Sequence, residues 1–228
     1  MSATTNLLVE RDWMLFVDGE NFTKRGQEVL KVRGEPPLAC AEWRRDVFLW
    51  LPGIGATSPF LSPGRLYFGV VNAGPPPAQA PRATRAFYYA SSVSDEPEWT
   101  ETRLQMRDQG FEPRLFKRVH GRSKAVDLAL ATDVLTLAGE RAYEVAVIFA
   151  GDGDYVPVVE AVKRLGRHVV VGFFEKNGLN PELRIAADAF VDLTDYIVDR
   201  WRDAREQKER DAAQQASRRQ PAADESPQ

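Results

Sequence analysis

Cysteine and histidine are nearly missing from these 228 residues, and each scarcity closes off a class of chemistry. One cysteine, Cys40, cannot build an internal disulfide framework or a Cys-rich zinc site. The two histidines, His120 and His168, have no metal-ligand spacing. No segment reaches the roughly 18 uninterrupted apolar residues of a membrane span, so no membrane partner is expected. Residues 1–10 lack a basic region followed by a long apolar run. The resulting expectation is a soluble, cytoplasmic protein. Excess positive charge is lacking too. The net charge is −3, so a nucleic-acid partner would have to be held by a local patch. The GxxxxGK[ST] phosphate loop is absent, which counts against a P-loop NTPase.

What is present suits one globular domain with a full core, at 43% hydrophobic and 28% charged residues. Short apolar runs predict strands over residues 13–17, 65–71, 85–90, 111–117, 145–149, 168–174 and 189–193. Between them, helices are predicted over 22–31, 97–109, 125–139, 157–165 and 179–187, with a terminal helix over 194–202. Residues 39–51, with Trp43, Val47 and Trp50 at roughly helical spacing, predict a further amphipathic helix. The segment from Asn72 to Arg85 is a loop rich in proline and alanine. Strands alternating with helices argue for a parallel α/β sheet covered on both faces. The domain is expected over residues 12–202. Residues 203–228 are expected to form a polar tail, with a frayed helix as one option at its start and disorder in its last part, 214–228, because large apolar residues are lacking there.

Gly151-Asp152-Gly153-Asp154-Tyr155 follows the buried run Val145-Ala146-Val147-Ile148-Phe149. Two carboxylates at such a place resist ionising together, and a bound divalent cation would remove that conflict. Asp18 stands at the end of the first strand, where an N-cap or turn role would also account for it. Asp127 stands in the first turn of a helix, where the helix dipole alone favours a negative charge. Asp133 lies about 120° further around that helix and ranks below Asp127 as a ligand. Asn21 would cap a helix or orient a carboxylate. Ligands of parallel α/β sheets gather at the carboxyl ends of strands, so Asp18, Asp127, Asp152 and Asp154 are expected to converge. Oxygen ligands without Cys or His favour Mg²⁺ or Mn²⁺ over zinc. The basic segment 117–124 offers Arg118, Arg122 and Lys124 as phosphate contacts. Such a site is suited to phosphodiester hydrolysis.

Three blocks carry a resemblance. Phe16-Val17-Asp18-Gly19-Glu20-Asn21, then Lys124-Ala125-Val126-Asp127 with Asp133, then Gly151-Asp152-Gly153-Asp154-Tyr155 with Pro157, resemble in order the NYN domain. This is the LabA-like group of the PIN-like nuclease superfamily. The resemblance spans residues 13–193. It implies a three-layer PIN-like α/β fold, with a mostly parallel central sheet flanked by helices. It also implies a Mg²⁺-dependent ribonuclease, acting as an endonuclease on RNA. Asp18, Asp127 and Asp152 are carried over as the acidic metal-binding and catalytic set, with Asp154 as a fourth member and Asn21 in support. Two departures stand out. Ala150 takes the place where the family often has serine, and residues 52–85 exceed what a minimal domain needs. The rival expectations are a catalytically silent RNA-binding or adaptor module on the same fold, and an α/β protein whose acids cap turns separately. Homo-oligomerisation is left open.

Overall fold

Trp13-Met14-Leu15-Phe16-Val17 offers no charged side chain to either face of a sheet, and the structure covers both of its faces. The computed structural model describes residues 11–35, 43–44, 48–49, 83–93, 95–118 and 124–219. Strand β1 (Trp13–Asp18) is buried throughout and leads without a loop into helix α1 (Gly19–Val32). Two short strands, β2 (Trp43–Arg44) and β3 (Phe48–Leu49), form an antiparallel ribbon. Then follow β4 (Arg85–Ser92), α2 (Glu96–Asp108), β5 (Glu112–Lys117) and α3 (Lys124–Gly139). Next are β6 (Val145–Phe149), a 3₁₀ turn over Gly153–Tyr155, α4 (Val156–Arg164) and β7 (His168–Phe173). The chain continues through α5 (Pro181–Ala186), β8 (Ala189–Asp192) and α6 (Thr194–Arg219).

Six strands form one sheet in the order β5-β4-β1-β6-β7-β8, and every neighbouring pair is parallel. Because successive side chains of a strand face opposite ways, β1 feeds two cores. Trp13, Leu15 and Val17 pack with Phe22, Val29 and Leu30 of α1, Met106 of α2, and Ile197 and Trp201 of α6. Met14 and Phe16 pack with Val126, Leu130 and Val134 of α3, Val159 and Val162 of α4, and Leu183 of α5. The result is the expected three-layer α/β/α arrangement. No helix among the described residues is long and apolar enough to cross a membrane.

Local signals set the element ends. Asp95 accepts the Glu98 N–H at 3.2 Å and caps α2, and Gly110 at φ 88° ends that region. Asn180 accepts the Glu182 N–H at 2.8 Å and Pro181 opens α5. Two expectations are corrected. The described part of residues 39–51 is a ribbon, with Trp43 opposite Leu49 and Arg44 opposite Phe48, and not a helix. Three apolar positions cannot separate a period of 3.6 from one of 2, and bulky aromatic side chains suit a pleated surface. The terminal helix does not stop near Arg202 but runs on to Arg219, past the expected boundary at residue 203 and into the stretch expected to be disordered. Residues 203–219 are rich in good helix formers, which need no apolar stripe to extend a helix already anchored at its start. The predicted strand over 65–71, the loop over 72–82, Arg122 and His120 lie outside the described residues.

Candidate functional site

From β1 the chain passes through the ribbon to β4 and β5 on one side, then crosses back to β6 on the other. The order reverses between β1 and β6, and a crevice opens there beyond the carboxyl ends of the strands. Asp18 is the last residue of β1, and Val17 lies in register with Phe149 of β6. The turn carrying Asp152 follows β6 directly, and Asp127 opens α3 at the same edge. A cavity of about 310 Å³ lies here, lined by Asp18, Glu20, Asn21, Lys24, Arg25, Glu28, Asp127 and Asp152.

Two glycines bring the backbones this close. A methyl group on Gly19 would run into the Tyr88 ring and stand 2.6 Å from the Tyr89 carbonyl oxygen. One on Gly151 would run into the Phe173 ring and stand 2.6 Å from the Gly178 carbonyl oxygen. The Gly151 carbonyl in turn accepts the Asn180 N–H at 2.8 Å, which ties the acidic turn to the loop after β7.

Asp18 is buried, at 3% exposure. Its Oδ1 accepts the Asn21 N–H at 3.1 Å, and its Oδ2 lies 3.1 Å from the Tyr155 hydroxyl. The same hydroxyl lies 3.2 Å from Asp127 Oδ1, so Tyr155 joins the two acids. A phenol carries one proton, so both contacts are fully satisfied only when one carboxyl also holds a proton. The electrostatics agree. Burial pushes the Asp18 carboxyl up to about 7, with Asp127 and Glu20 adding to the rise and the bonds from Asn21 and Tyr155 opposing it. Asp127 is also raised, first by desolvation, while the Tyr155 bond lowers it and Asp152, Glu20 and Asp154 raise it. Burial and the two carboxylates push the Tyr155 phenol far up, so it stays a donor. Asp152 is exposed, and its Oδ1 accepts the Asp154 N–H at 3.1 Å.

The sequence-predicted residues divide as follows. Asp18, Asn21, Asp127 and Asp152 share the cavity wall. Asp154 stands off the wall but near enough to raise Asp127. Asp133 is bound elsewhere, to the Tyr89 hydroxyl at 2.8 Å and to Arg114 Nε at 3.1 Å. Arg118 donates to Ser91 Oγ at 3.0 Å and Ser91 O at 3.2 Å, and pairs with Glu20 at 3.5 Å, so it braces the edge of the site. Lys124 is the first residue of α3, and Arg122 is outside the described residues. Sequence reasoning missed Glu20, Lys24, Arg25 and Glu28 on the wall, and Tyr155 behind it. A signal existed for three of the first group. Counted from Asn21, steps of three or four along α1 reach Lys24, Arg25 and Glu28 on one helix face.

The donor set fits a hard divalent cation: carboxylates, plus the Asn21 side-chain oxygen, which is buried without a hydrogen-bond partner. Among the described residues, however, no three acidic, histidine or cysteine side chains are gathered closely enough to hold an ion as they stand. Tyr155 keeps Asp18 and Asp127 on each other, and Asp152 caps its own turn. Mg²⁺ ordinarily keeps several waters and takes only one or two carboxylates directly, so this spread does not exclude it.

No curated protein matches the chain. Among solved structures, the fold is similar to that of a protein of unknown function from Vibrio parahaemolyticus RIMD 2210633. The TM-score is 0.53 at 19% identity, over 81% of this chain and 94% of that one, a likeness that bears on the fold alone. The family model of the NYN domain matches residues 13–194, from the first residue of β1 to the first of α6. With that match over most of its length, the chain belongs to the NYN domain family, a family of PIN-like nucleases.

Proposed function

We propose that this protein is a divalent-metal-dependent ribonuclease, an endonuclease working with Mg²⁺ or Mn²⁺. The observation that carries the reading is one cavity, at the reversal point of a parallel sheet, walled by Asp18, Asp127 and Asp152. Membership of the NYN family supports the nuclease class and a nucleic-acid substrate.

Asp18, Asp127 and Asp152 would hold the metal, with the unpartnered Asn21 oxygen as a further oxygen donor on the same wall. Bound there, a divalent ion activates a water and neutralises charge developing on the phosphate. Tyr155 keeps Asp18 and Asp127 in place and donates to whichever is ionised. Asp154 acts through its charge on Asp127.

Cleavage of RNA tests this directly. With Mg²⁺ the parent protein should cut, chelation should stop it, and Asp152→Asn should lower the rate on the order of 10²-fold or more. Equal cleavage by the two proteins would remove Asp152 from the site. One observation favours the rival reading of a silent RNA-binding module: the Tyr155 hydroxyl joins Asp18 and Asp127, a link that holds the two acids as structural partners. Magnesium separates the two. An occupied site gains about 2.7 kcal/mol at a hundred times Kd, seen as a higher Tm, whereas the silent module gains nothing from the ion.

A further inference from the structure

Charge is unevenly distributed around the cavity. Its acids come from β1, α1, α3 and the turn after β6, whereas its cations among the described residues, Lys24 and Arg25, come from α1. A polyanionic strand is repelled by the acids and attracted only where those cations face it. Arg118, just past β5, is already spent on Ser91 and Glu20 and is only 19% exposed.

Lys24 and Arg25 are differently placed. Lys24 pairs with Glu20 at 2.7 Å and Arg25 with Glu28 at 2.8 Å, and the two cations are 47% and 43% exposed. Exposed pairs within one helix contribute little, so a phosphate can replace either carboxylate at little cost. Arg25 is also seated. A methyl group on Gly178, which has φ +94°, would stand 2.6 Å from Arg25 Nε. The carbonyl oxygen of the same glycine lies against Gly151. The side chain of Arg25 is therefore laid over the loop that also supports the Asp152 turn. A guanidinium fixed in this way suits a two-pronged phosphate contact, and the Lys24 ammonium beside it suits a point contact.

We propose that Lys24 and Arg25 are the phosphate contacts of the nucleic-acid strand, which crosses α1 and enters the cavity from that side. This assignment rests on the nuclease reading above. Phosphate contacts position a strand without reading its bases or sugars, so they serve RNA and DNA alike.

The test is binding of a fluorescent single-stranded oligonucleotide to the full chain over a salt series, with cleavage suppressed by Asp152→Asn. Each lost contact should reduce the slope of log affinity against log salt by about 0.7, or roughly five-fold in affinity at 0.1 M salt relative to 1 M. Lys24→Ala/Arg25→Ala together should therefore lose about 1.4 in slope, on an RNA and on a DNA of the same sequence. Arg107→Ala, an exposed cation in the last turn of α2 outside the cavity lining, should leave the slope unchanged. An unchanged slope in the double variant, with binding retained, would overturn the strand path and leave the nuclease reading standing. So would a loss confined to the RNA. A parent protein that binds neither oligonucleotide would overturn both.

Discussion

At the scale of single residues, the site depends on how one phenol divides its proton. Tyr155 touches Asp18 and Asp127, and burial holds the Asp18 carboxyl up at about 7 against an ordinary 3.8. A folded-state value above the unfolded one means that the native protein binds more protons between the two. Stability is then fully present below about pH 4 and falls as pH rises toward 7, by at most about 1.4 kcal/mol per unit. Asp127 is raised as well and acts in the same sense. Urea unfolding in chelator at acid, neutral and alkaline pH should show that fall in the parent protein. Asp18→Asn, which cannot ionise, should flatten much of it and be the more stable of the two at about pH 8. Superimposable pH profiles would mean that Asp18 carries no such shift. The roles of these residues were only partly legible in the chain. Asp18, Asp127 and Asp152 announce themselves as acids at strand ends and a helix start. Arg118 looked like a free cation of a basic loop, because nothing in its neighbours reveals that Ser91 and Glu20 fold back onto it.

At the scale of elements, two strand-to-helix turns set the geometry, and each relies on a glycine. Gly151 sits between the Phe173 ring and the Gly178 carbonyl, so Gly151→Ala must push the acidic turn outward. A destabilisation of about 1–3 kcal/mol is expected from such overpacking, with weaker Mg²⁺ binding alongside. Gly139, at the end of α3, has nothing within 4 Å of an added methyl group. Gly139→Ala should therefore stabilise, by about 0.4–1 kcal/mol, through the unfolded chain. Chemical denaturation of the two variants checks both signs. Most elements were legible because their apolar runs are long or their caps are explicit, as at Asp95, Asn180 and Gly110. The ribbon of β2 and β3 was not, because Trp43, Val47 and Trp50 fit a helical period as well as an extended one.

At the scale of the whole molecule, the last helix is fastened to the end of the first. Glu35, just past α1, takes Arg202 Nε at 2.5 Å and Arg205 at 3.0 Å, with its side chain only 6% exposed. Arg33 adds a bond to Asp195 at 2.8 Å. These pairs set α6 over the face where Ile197, Val198 and Trp201 complete the core under α1. Glu35→Gln removes the charge from a nearly enclosed partner of two arginines. It should cost about 1–3 kcal/mol in unfolding free energy and leave RNA cleavage per folded molecule unchanged. A cleavage rate that fell while Tm held would contradict a purely structural role.

The sequence by itself determined the alternation of strands and helices, the two-sided burial of β1 and β6, and the family, because these rest on local periodicity and on residues a few positions apart. Only the tertiary structure decided which groups meet. Residues 18, 127 and 152 share a cavity because the strand order reverses between β1 and β6, a choice made by packing across the whole sheet. The same packing placed Tyr155 between two acids, withdrew Asp133 to Tyr89 and Arg114, and turned the cations of α1 toward the site. Contacts of that kind join residues far apart in the chain, 137 positions between Asp18 and Tyr155, and no local pattern encodes them.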